Sequence, residues 1–236
     1  MIIVQNISKH YSQILNLRKI TVLRNISFEI KETEILGIVG HNGSGKSTLL
    51  KILFNLIEQD SGEIFVKNSS KNYIDFMRNS ASLINRNERS FFWRLTVKEN
   101  IDFFNSLSSN PSSKSDIQEK IDFMGLSNIV NNKFGTLSSG EKTKALILRG
   151  LIKNPKFILF DEVTGSLDIE SKSIILEYVK KINENGATII WISHALDEID
   201  SLCDRFLVMK EGEIIIEKKV NEIELAPSEY IYKEFS

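Results

Sequence analysis

The positions of apolar and polar residues along the chain predict strands that alternate with helices. Short apolar runs at residues 2–7, 22–30 and 34–39 are typical of strands, and the second of these runs alternates between two faces. Later runs of strand length occupy residues 63–66, 157–160, 188–192, 206–209 and 214–216, the last two as a hairpin. Strands interleaved with helices indicate an α/β fold built on a sheet.

The middle of the chain has a helical pattern instead. Phe103, Phe104 and Leu107 share one helix face, the segment 108–113 interrupts that helix, and residues 117–124 resume it. A helix is also predicted at residues 48–57, a connecting loop at 11–21, and a short helix in the tail after residue 218. The patterns predict one domain over residues 1–236, whose parts are a core at 1–88 and 151–220, a helical insertion at about 89–150, and a tail at 221–236.

Composition narrows the class of protein. The chain has 236 residues, of which 42% are hydrophobic and 26% charged, and a net charge of −1, so a nucleic-acid partner is not expected. Cys203 is the only cysteine, which excludes an internal disulfide. No apolar run approaches the roughly 20 residues of a membrane-spanning helix, and the N-terminus lacks a signal-peptide pattern. A cytoplasmic location is therefore expected.

A glycine-rich segment joins the predicted strand at 34–39 to the predicted helix at 48–57. Gly40 is followed by four unconstrained positions and then by Gly45, Lys46 and Ser47, which is the P-loop pattern. Such a loop turns its backbone N–H groups toward phosphate oxygens, while the lysine reaches the outer phosphates and the hydroxyl ligates Mg²⁺. Glycine-rich turns also occur without ligands, but the flanking strand and helix favour a nucleotide site.

Two carboxylates and a histidine follow other apolar strands. Asp161 and Glu162 end the strand at 157–160, at the edge where α/β sheets bind ligands. Asp161 is placed to hold Mg²⁺, and Glu162 to polarise water for attack on a γ-phosphate. His194 follows the strand at 188–192, so its imidazole is expected at the same edge. Acidic residues also cap helices at such positions, so these assignments depend on the P-loop.

A Ser/Gly turn at residues 138–141 precedes the acidic strand and opens a helix. The N-terminus of that helix is a second candidate anion site, and a plain capping turn is the alternative. The order of the P-loop, this turn, the Asp-Glu strand, the segment Ser166-Leu167-Asp168 and His194 resembles the ATP-binding subunits of ABC transporters. The resemblance extends over residues 4–216. It implies an α/β fold with a P-loop NTPase sheet core, N-terminal antiparallel β strands and an inserted helical subdomain.

The resemblance implies roles for individual residues. Tyr11 is similar to the aromatic residue that stacks on adenine, Glu162 to the catalytic base and His194 to the switch histidine. Asp161 and Ser47 would serve Mg²⁺. The residues that would bind the phosphates of ATP are Gly40, His41, Asn42, Gly43, Ser44, Gly45, Lys46, Ser47 and Thr48. Those that would face ATP held by the opposing subunit are Ser138, Ser139, Gly140 and Glu141.

Three positions depart from the family pattern. Ser139 replaces the first glycine of the signature turn, and Val163 replaces the usual proline after Asp-Glu, which affects backbone stiffness more than chemistry. A glutamine normally senses Mg²⁺ and the membrane partner. The stretch Leu95-Thr96-Val97-Lys98-Glu99-Asn100 is similar to the family sequence, and counting back from it aligns Asn87 with this glutamine. The asparagine side chain keeps the amide but is one methylene shorter. Its contact with the metal is therefore direct, through water, or absent.

Three consecutive aromatic residues, Phe91, Phe92 and Trp93, follow Asn87. They either form part of a cleft for a coupling helix of a membrane subunit or pack inside the helical insertion. The amino-acid sequence of this stretch is most similar to those of ATPases that drive export of drugs, lipids or polysaccharides.

The resemblance also implies an assembly and a reaction. Two ATP molecules would be sandwiched in a head-to-tail dimer, most economically of identical chains. Transmembrane permease subunits would be the other partners, and the chain would lie on the inner face of the cell membrane. Hydrolysis of ATP to ADP and phosphate would power transport, expected to be export. The alternatives are a non-transport ABC ATPase that remodels a ribosome, DNA or a division complex, and a regulatory protein that binds ATP without turnover.

Overall fold

A computed structural model of the chain describes residues 1–12, 19–67, 72–108, 111–165 and 167–235. Its strands are β1 (Ile2–Ser12), β2 (Lys19–Ile30), β3 (Ile35–Gly40), β4 (Ser61–Val66), β5 (Ala81–Asn85), β6 (Phe157–Asp161), β7 (Thr188–Ile192), β8 (Arg205–Lys210) and β9 (Glu213–Lys219). Its helices are α1 (Lys46–Leu53), α2 (Tyr73–Ser80), α3 (Val97–Ser106), α4 (Lys114–Phe123), α5 (Ser139–Leu151), α6 (Ile169–Glu184), α7 (Leu196–Leu202) and α8 (Pro227–Phe235). The chain divides into two compact units, Met1–Ala81 with Thr188–Ser236, and Ser82–Ala187.

The first unit contains an antiparallel sheet in the order β2-β1-β4. Ile2 of the central strand pairs with Ile30 on one side and with Val66 on the other. Asn6 and Asn25 adopt left-handed backbone conformations close to shifts in the pairing register, which asparagine tolerates better than most residues. The predicted N-terminal antiparallel strands are confirmed.

A second set of strands in the first unit has the order β7-β3-β8-β9. β3 is parallel to both β7 and β8, while β9 is antiparallel to β8. The apolar residues of β3 are almost wholly buried, which explains its uninterrupted apolar run, because a central parallel strand is covered on both faces. β3 and β7 end at the same edge, so the segments that follow them, which contain the P-loop and His194, begin side by side.

Arg205 of β8 forms a buried ion pair in the first unit. Its guanidinium donates to both carboxylate oxygens of Glu34, at 2.7 Å and 3.2 Å, to the carbonyl of Glu29 and to the carboxylate of Glu217. Burial acts against the charged form, but the hydrogen bonds and charges of Glu34 and Glu217 outweigh it, so the pKa of Arg205 is raised above its ordinary value. The paired charge makes burial of this arginine tolerable.

The second unit contains the neighbouring strands β5 and β6 and helices α3 to α6. Aromatic rings form part of its core, where Phe91 stacks on Phe134 at 4.3 Å between centroids. The guanidinium of Arg149 lies 4.8 Å from the Phe104 centroid and donates to the carbonyl of Ser90 at 2.9 Å. Desolvation lowers the pKa of Arg149. The helical region predicted at about 89–150 falls within this unit.

The structure corrects several sequence predictions. The loop predicted at residues 11–21 is wrong at both ends, because Tyr11 lies in β1 and pairs with Ile20 of β2, while residues 13–18 lie outside the described part of the chain. β5, α2, α6 and α7 were not predicted. Within the described ranges, no helix combines the length and the apolar character needed to cross a membrane.

Candidate functional site

The P-loop connects the end of β3 to the first residue of α1. Gly45 occupies the N-cap position with a φ of 104°, a left-handed conformation that favours glycine. A side chain at this position would also lie 2.7 Å from Leu23 and 2.9 Å from the carbonyl of Val22. No side chain caps α1, so the backbone N–H groups of its first turn have no capping oxygen from the N-cap residue. This geometry favours an anion at the start of the helix.

Two buried polar groups of the loop strengthen that conclusion. The hydroxyl of Ser44 is the one buried side-chain polar atom, among those the structure describes, that lacks a hydrogen-bond partner. Lys46 is 5% exposed, and its ammonium donates to the carbonyls of Gly40 at 2.6 Å and His41 at 3.1 Å. A buried cation, an unsatisfied hydroxyl and a helix N-terminus are the groups that hold phosphate. Ser47, the candidate Mg²⁺ ligand, is exposed at the first turn of α1.

His194 lies beside the P-loop, as the strand order requires. It connects β7 to α7 and is exposed, while the neighbouring Ser193 is buried and accepts a hydrogen bond from the N–H of Ala195 at 3.0 Å. A cavity of about 430 Å³ opens between these segments. Its walls combine P-loop, strand, His194-segment and C-terminal residues: Val39, Gly40, His41, Asn42, Ser193, His194, Leu196, Val208, Ile231 and Tyr232.

Tyr11, the candidate adenine-stacking residue, lies on the β1–β2 hairpin and is 42% exposed. The ammonium of Lys9 is 5.9 Å from the centre of its ring and donates to the carboxylate of Asp60 at 2.8 Å. Asp60 also accepts the backbone N–H of His10 at 2.6 Å, and the Lys9 and His10 hydrogen bonds lower the pKa of Asp60. Asp60 therefore fixes the two residues of β1 that precede Tyr11.

The acidic pair lies at the end of β6 in the second unit. Asp161 and Glu162 are half-buried, and Glu162 has a left-handed backbone with a φ of 51°, which is unusual for a residue with a side chain. Val163 and Thr164 are buried directly after them. Strained backbone of this kind is concentrated at functional sites. Here it changes the direction of the backbone immediately after the buried strand β6.

The segment after the acidic pair opens α6. Asp168 is the N-cap of this helix and accepts the N–H of Ser171 at 2.7 Å. Ser166, the first residue of the family-like segment Ser166-Leu167-Asp168, lies outside the described residues. A side chain at Gly165 would lie 3.5 Å from the guanidinium of Arg86, so the segment after Glu162 approaches the segment that contains Asn87.

The signature turn is a capping box at the start of α5. The hydroxyl of Ser138 accepts the N–H of Glu141 at 3.3 Å and donates to its carboxylate at 2.9 Å, and that carboxylate accepts the N–H of Ser138 at 2.8 Å. Ser139 is exposed at the first turn, and Gly140 is half-buried. The capping alternative is therefore present in the structure.

Asn87 lies between β5 and a single turn of 3₁₀ helix (Glu88–Ser90). Its N–H bonds to the side-chain oxygen of Asn85 at 3.2 Å, and its carbonyl accepts the hydroxyl of Ser90 at 2.7 Å. Its side chain is exposed. These two hydrogen bonds fix the backbone of Asn87 between β5 and the 3₁₀ turn.

The run of three aromatic residues has two environments. Phe91 is 4% exposed inside the unit, whereas Phe92 and Trp93 are 48% and 49% exposed. Phe92 packs edge-on against the half-exposed Phe103 at 5.1 Å. The ammonium of Lys142, one residue after the signature turn, lies 4.5 Å from the Trp93 ring. Phe91 therefore packs inside the unit, as one interpretation expects, while Phe92 and Trp93 lie at its surface.

The stretch 95–100 has a structural role of its own. Thr96 and Glu99 form the capping box of α3. Asn100 is wholly buried, accepts the N–H of Phe92 at 2.8 Å and donates to the carbonyl of Phe92 at 3.0 Å. This amide holds the aromatic run in place.

Comparisons with known proteins show the family to which this chain is related. A family model described as ABC transporter matches residues 23–165. The energy-coupling factor transporter ATP-binding protein EcfA of Malacoplasma penetrans is 35% identical over 228 residues, which cover 93% of this chain and 76% of that protein. The methionine import ATP-binding protein MetN of Geobacillus kaustophilus is 34% identical over 242 residues, which cover 100% of this chain and 70% of that protein.

A solved structure has the same fold. The dimeric, post-hydrolysis ATP-binding cassette MJ0796 bound to ADP and Pi superposes with a TM-score of 0.81 at 27% sequence identity. The match covers 93% of this chain and 99% of that one. The predicted α/β class is therefore confirmed over nearly the whole length of the chain.

Proposed function

This chain belongs to the ABC transporter family as an ATP-binding subunit and an ATPase, and from that premise we propose that it powers movement of a substrate across a membrane through separate membrane subunits. The observation that carries the proposal is the phosphate cradle at the start of α1. There the buried Lys46 ammonium, the unsatisfied Ser44 hydroxyl and the uncapped helix N-terminus converge on one loop.

We assign the nucleotide-binding roles residue by residue. The run of residues 40–48 binds the phosphates of ATP, Tyr11 stacks on adenine, and His194 contacts the terminal phosphate. The exposure of Tyr11 and the cavity shared by His194 and the P-loop support these roles. In the second unit, Glu162 is the base that activates water, and Ser138 to Glu141 contact ATP of the opposing subunit across the exposed start of α5.

Mg²⁺ is proposed as the cofactor. Its candidate ligands are the Ser47 hydroxyl, the Asp161 carboxylate and the Asn87 amide, all hard oxygen donors of the kind that Mg²⁺ prefers. When bound, the ion neutralises charge on the phosphates. In the parts of the chain that the structure describes, no cluster of three His, Cys, Asp or Glu side chains forms a separate metal site.

The proposed assembly contains two copies of this chain and transmembrane permease subunits, at the inner face of the membrane. A dimeric relative and a relative that serves an energy-coupling factor transporter support it. The exposed surface formed by Phe92, Trp93 and Phe103 is the proposed contact with the permease, because half-exposed aromatic residues are costly to leave in water and are enriched at interfaces. We also propose that residues 1–236 form one ATP-binding domain with a helical insertion at about 89–150.

The direction of transport is not assigned. Export was expected from the amino-acid sequence of the segment around Phe91, but one of the similar proteins is a methionine import subunit. The export prediction therefore has no support. The remaining alternative, a non-transport ABC ATPase, is separated from transport by the experiments that follow.

The first experiment measures ATP hydrolysis and oligomeric state. We compare wild type, Glu162→Gln and Glu170→Gln, which removes a charge from an exposed position at the start of α6. We expect hydrolysis by wild type and the Glu170 variant, and an inactive Glu162 variant that forms an ATP-dependent dimer in light scattering. Wild-type activity in Glu162→Gln would exclude Glu162 as the base. A wild type that is inactive alone and in native membranes would refute the proposed function.

The second experiment tests the permease contact. Trp93→Ala should retain the ATPase activity of the isolated chain but lose co-purification with membranes. Ile215→Ala removes a similarly exposed apolar side chain from β9 and should retain both properties. Equal membrane recovery of the two variants would exclude the Trp93 surface. Recovery of wild type with ribosomes or DNA instead of membranes would favour the non-transport alternative.

A further inference from the structure

Helix α7 begins two residues after His194 and has only seven residues. Its N-cap, Ala195, provides no side-chain hydrogen bond to the first turn. A helix of this length is not stable by itself, so its position is set by contacts with the rest of the first unit. The direction in which the chain leaves His194 depends on the same contacts.

Three consecutive residues of α7 make those contacts, each with a different element. Glu198 accepts the indole N–H of Trp191 in β7 at 3.0 Å, and both side chains are buried. Ile199 is wholly buried against β3, where a side chain at Gly37 would approach it to 3.0 Å. Asp200 is the third, and it bonds to the C-terminal helix α8.

The Asp200 carboxylate caps α8 from outside that helix. It accepts the backbone N–H of Ser228 at 2.7 Å through one oxygen and the hydroxyl of Ser228 at 2.5 Å through the other. A carboxylate at a helix N-terminus satisfies N–H groups that have no partner within the helix and interacts favourably with the helix dipole. This pair is therefore a specific connection between α7 and α8 and not a surface ion pair.

Helix α8 also reaches the site itself. Ile231 is 6% exposed, and the ring of Tyr230 lies 6.4 Å from that of Phe206 in β8. Ile231 and Tyr232 line the cavity that contains His194 and the P-loop residues His41 and Asn42. One helix thus holds α7 through its first turn and forms a wall of the nucleotide-side cavity through its second.

We propose that Asp200 and Ser228 are positioning residues for His194. They fix α7 against α8 and so fix the chain that leaves His194, without touching the nucleotide. The proposal rests on the proposed function, because it assumes that His194 acts in ATP hydrolysis. Loss of the pair would lower turnover and leave nucleotide affinity nearly unchanged, since the P-loop is held by other contacts.

The kinetic test compares wild type with Asp200→Ala, Ser228→Ala, Ser228→Thr and Glu229→Gln. Glu229 is exposed in the same turn of α8, so its variant is a matched control for loss of charge. We expect kcat to fall about five- to tenfold in the two alanine variants, with KM for ATP within about twofold, and near wild-type kinetics in the other two. Equal kcat in all variants would overturn the proposal, as would equal losses in Glu229→Gln.

A second measurement reports on His194 without relying on activity. The chain has three histidines, so the imidazole NMR signal of His194 can be assigned with His194→Ala. We expect this signal to shift or broaden in Asp200→Ala and Ser228→Ala, while the His10 signal stays in place. An unchanged His194 signal in folded variants would refute the positioning role. A wild type without ATPase activity, by contrast, would refute the function of His194 itself, whatever the NMR result.

Discussion

Replacement of Gly37 by alanine should destabilise the first unit, because β3 and α7 meet at this position. The added Cβ would lie 2.9 Å from the Cys203 sulfur and 3.0 Å from the end of the Ile199 side chain. Ile199 ends in a flexible methyl group, so the sulfur is the harder obstacle. Overpacking of a core by one methyl group costs about 1–3 kcal/mol. The alanine also lowers the conformational entropy of the unfolded chain, which stabilises the folded state by about 0.4–1 kcal/mol.

The net loss in the free energy of unfolding is therefore about 1.3 kcal/mol at the midpoints of these two ranges. It should appear as a lower urea midpoint at an unchanged slope in circular dichroism, since the surface exposed on unfolding stays the same. Gly37→Ala is then combined with Cys203→Ala, which removes the sulfur. Burial raises the pKa of the Cys203 thiol well above its ordinary value, so this second change replaces a neutral group.

Cys203→Ala alone should cost on the order of 1 kcal/mol, for the lost burial. In the double variant the two changes should compensate, so that it is more stable than the sum of the single losses predicts. Strict additivity would refute the argument, because it would mean that the sulfur and the new methyl group do not compete for the same space. A Gly37→Ala protein as stable as wild type would refute it as well.

Three further predictions concern stability. Arg205→Met leaves the Glu34 carboxylate buried without its charged partner and should cost about 3–5 kcal/mol in urea unfolding; an unchanged midpoint would contradict this. Ser138→Ala should cost about 1 kcal/mol, whereas Ser138→Thr retains the cap and should cost less than half of that; equal losses would exclude the capping box as the cause. Hydrogen bonds from Ser171 lower the pKa of Asp168, so its contribution to stability is complete above the unfolded pKa of about 3.9 and is lost as the pH falls through the lower folded value. Asp168→Asn should therefore flatten the loss of stability in acid, and an identical acid transition in wild type and variant would contradict it.

The P-loop could be placed from the sequence because its pattern is local. Gly45 must be left-handed where β3 turns into α1, and the glycine spacing already demands such a turn. The hydrogen bonds within the loop could not be predicted from this local pattern. The bonds of Lys46 to loop carbonyls and the unsatisfied hydroxyl of Ser44 depend on how tightly the loop folds on itself.

The failures have a common physical cause, which is pairing between distant segments. Tyr11 belongs to a strand because it pairs with Ile20, and the polar, exposed residues around it carry no apolar alternation to reveal that pairing. Asp200 and Ser228 are 28 positions apart in the sequence, so neither residue alone indicates the cap that they form. Within the aromatic run, Phe91 is buried because Phe134 stacks face to face on its ring, whereas Phe134 meets the half-exposed Trp93 only edge-on at 6.2 Å.

The two tryptophans of this chain occupy different units and different surroundings. Trp191 is buried and bonded to Glu198 of α7, whereas Trp93 is half-exposed with a lysine over its ring. The native protein therefore emits from one shielded indole and one that dissolved quenchers can reach. Trp93→Phe would leave Trp191 as the single fluorescent tryptophan, and its indole is hydrogen-bonded to Glu198 of α7. Movement of α7 on nucleotide binding could then be followed in real time through tryptophan fluorescence, without a label.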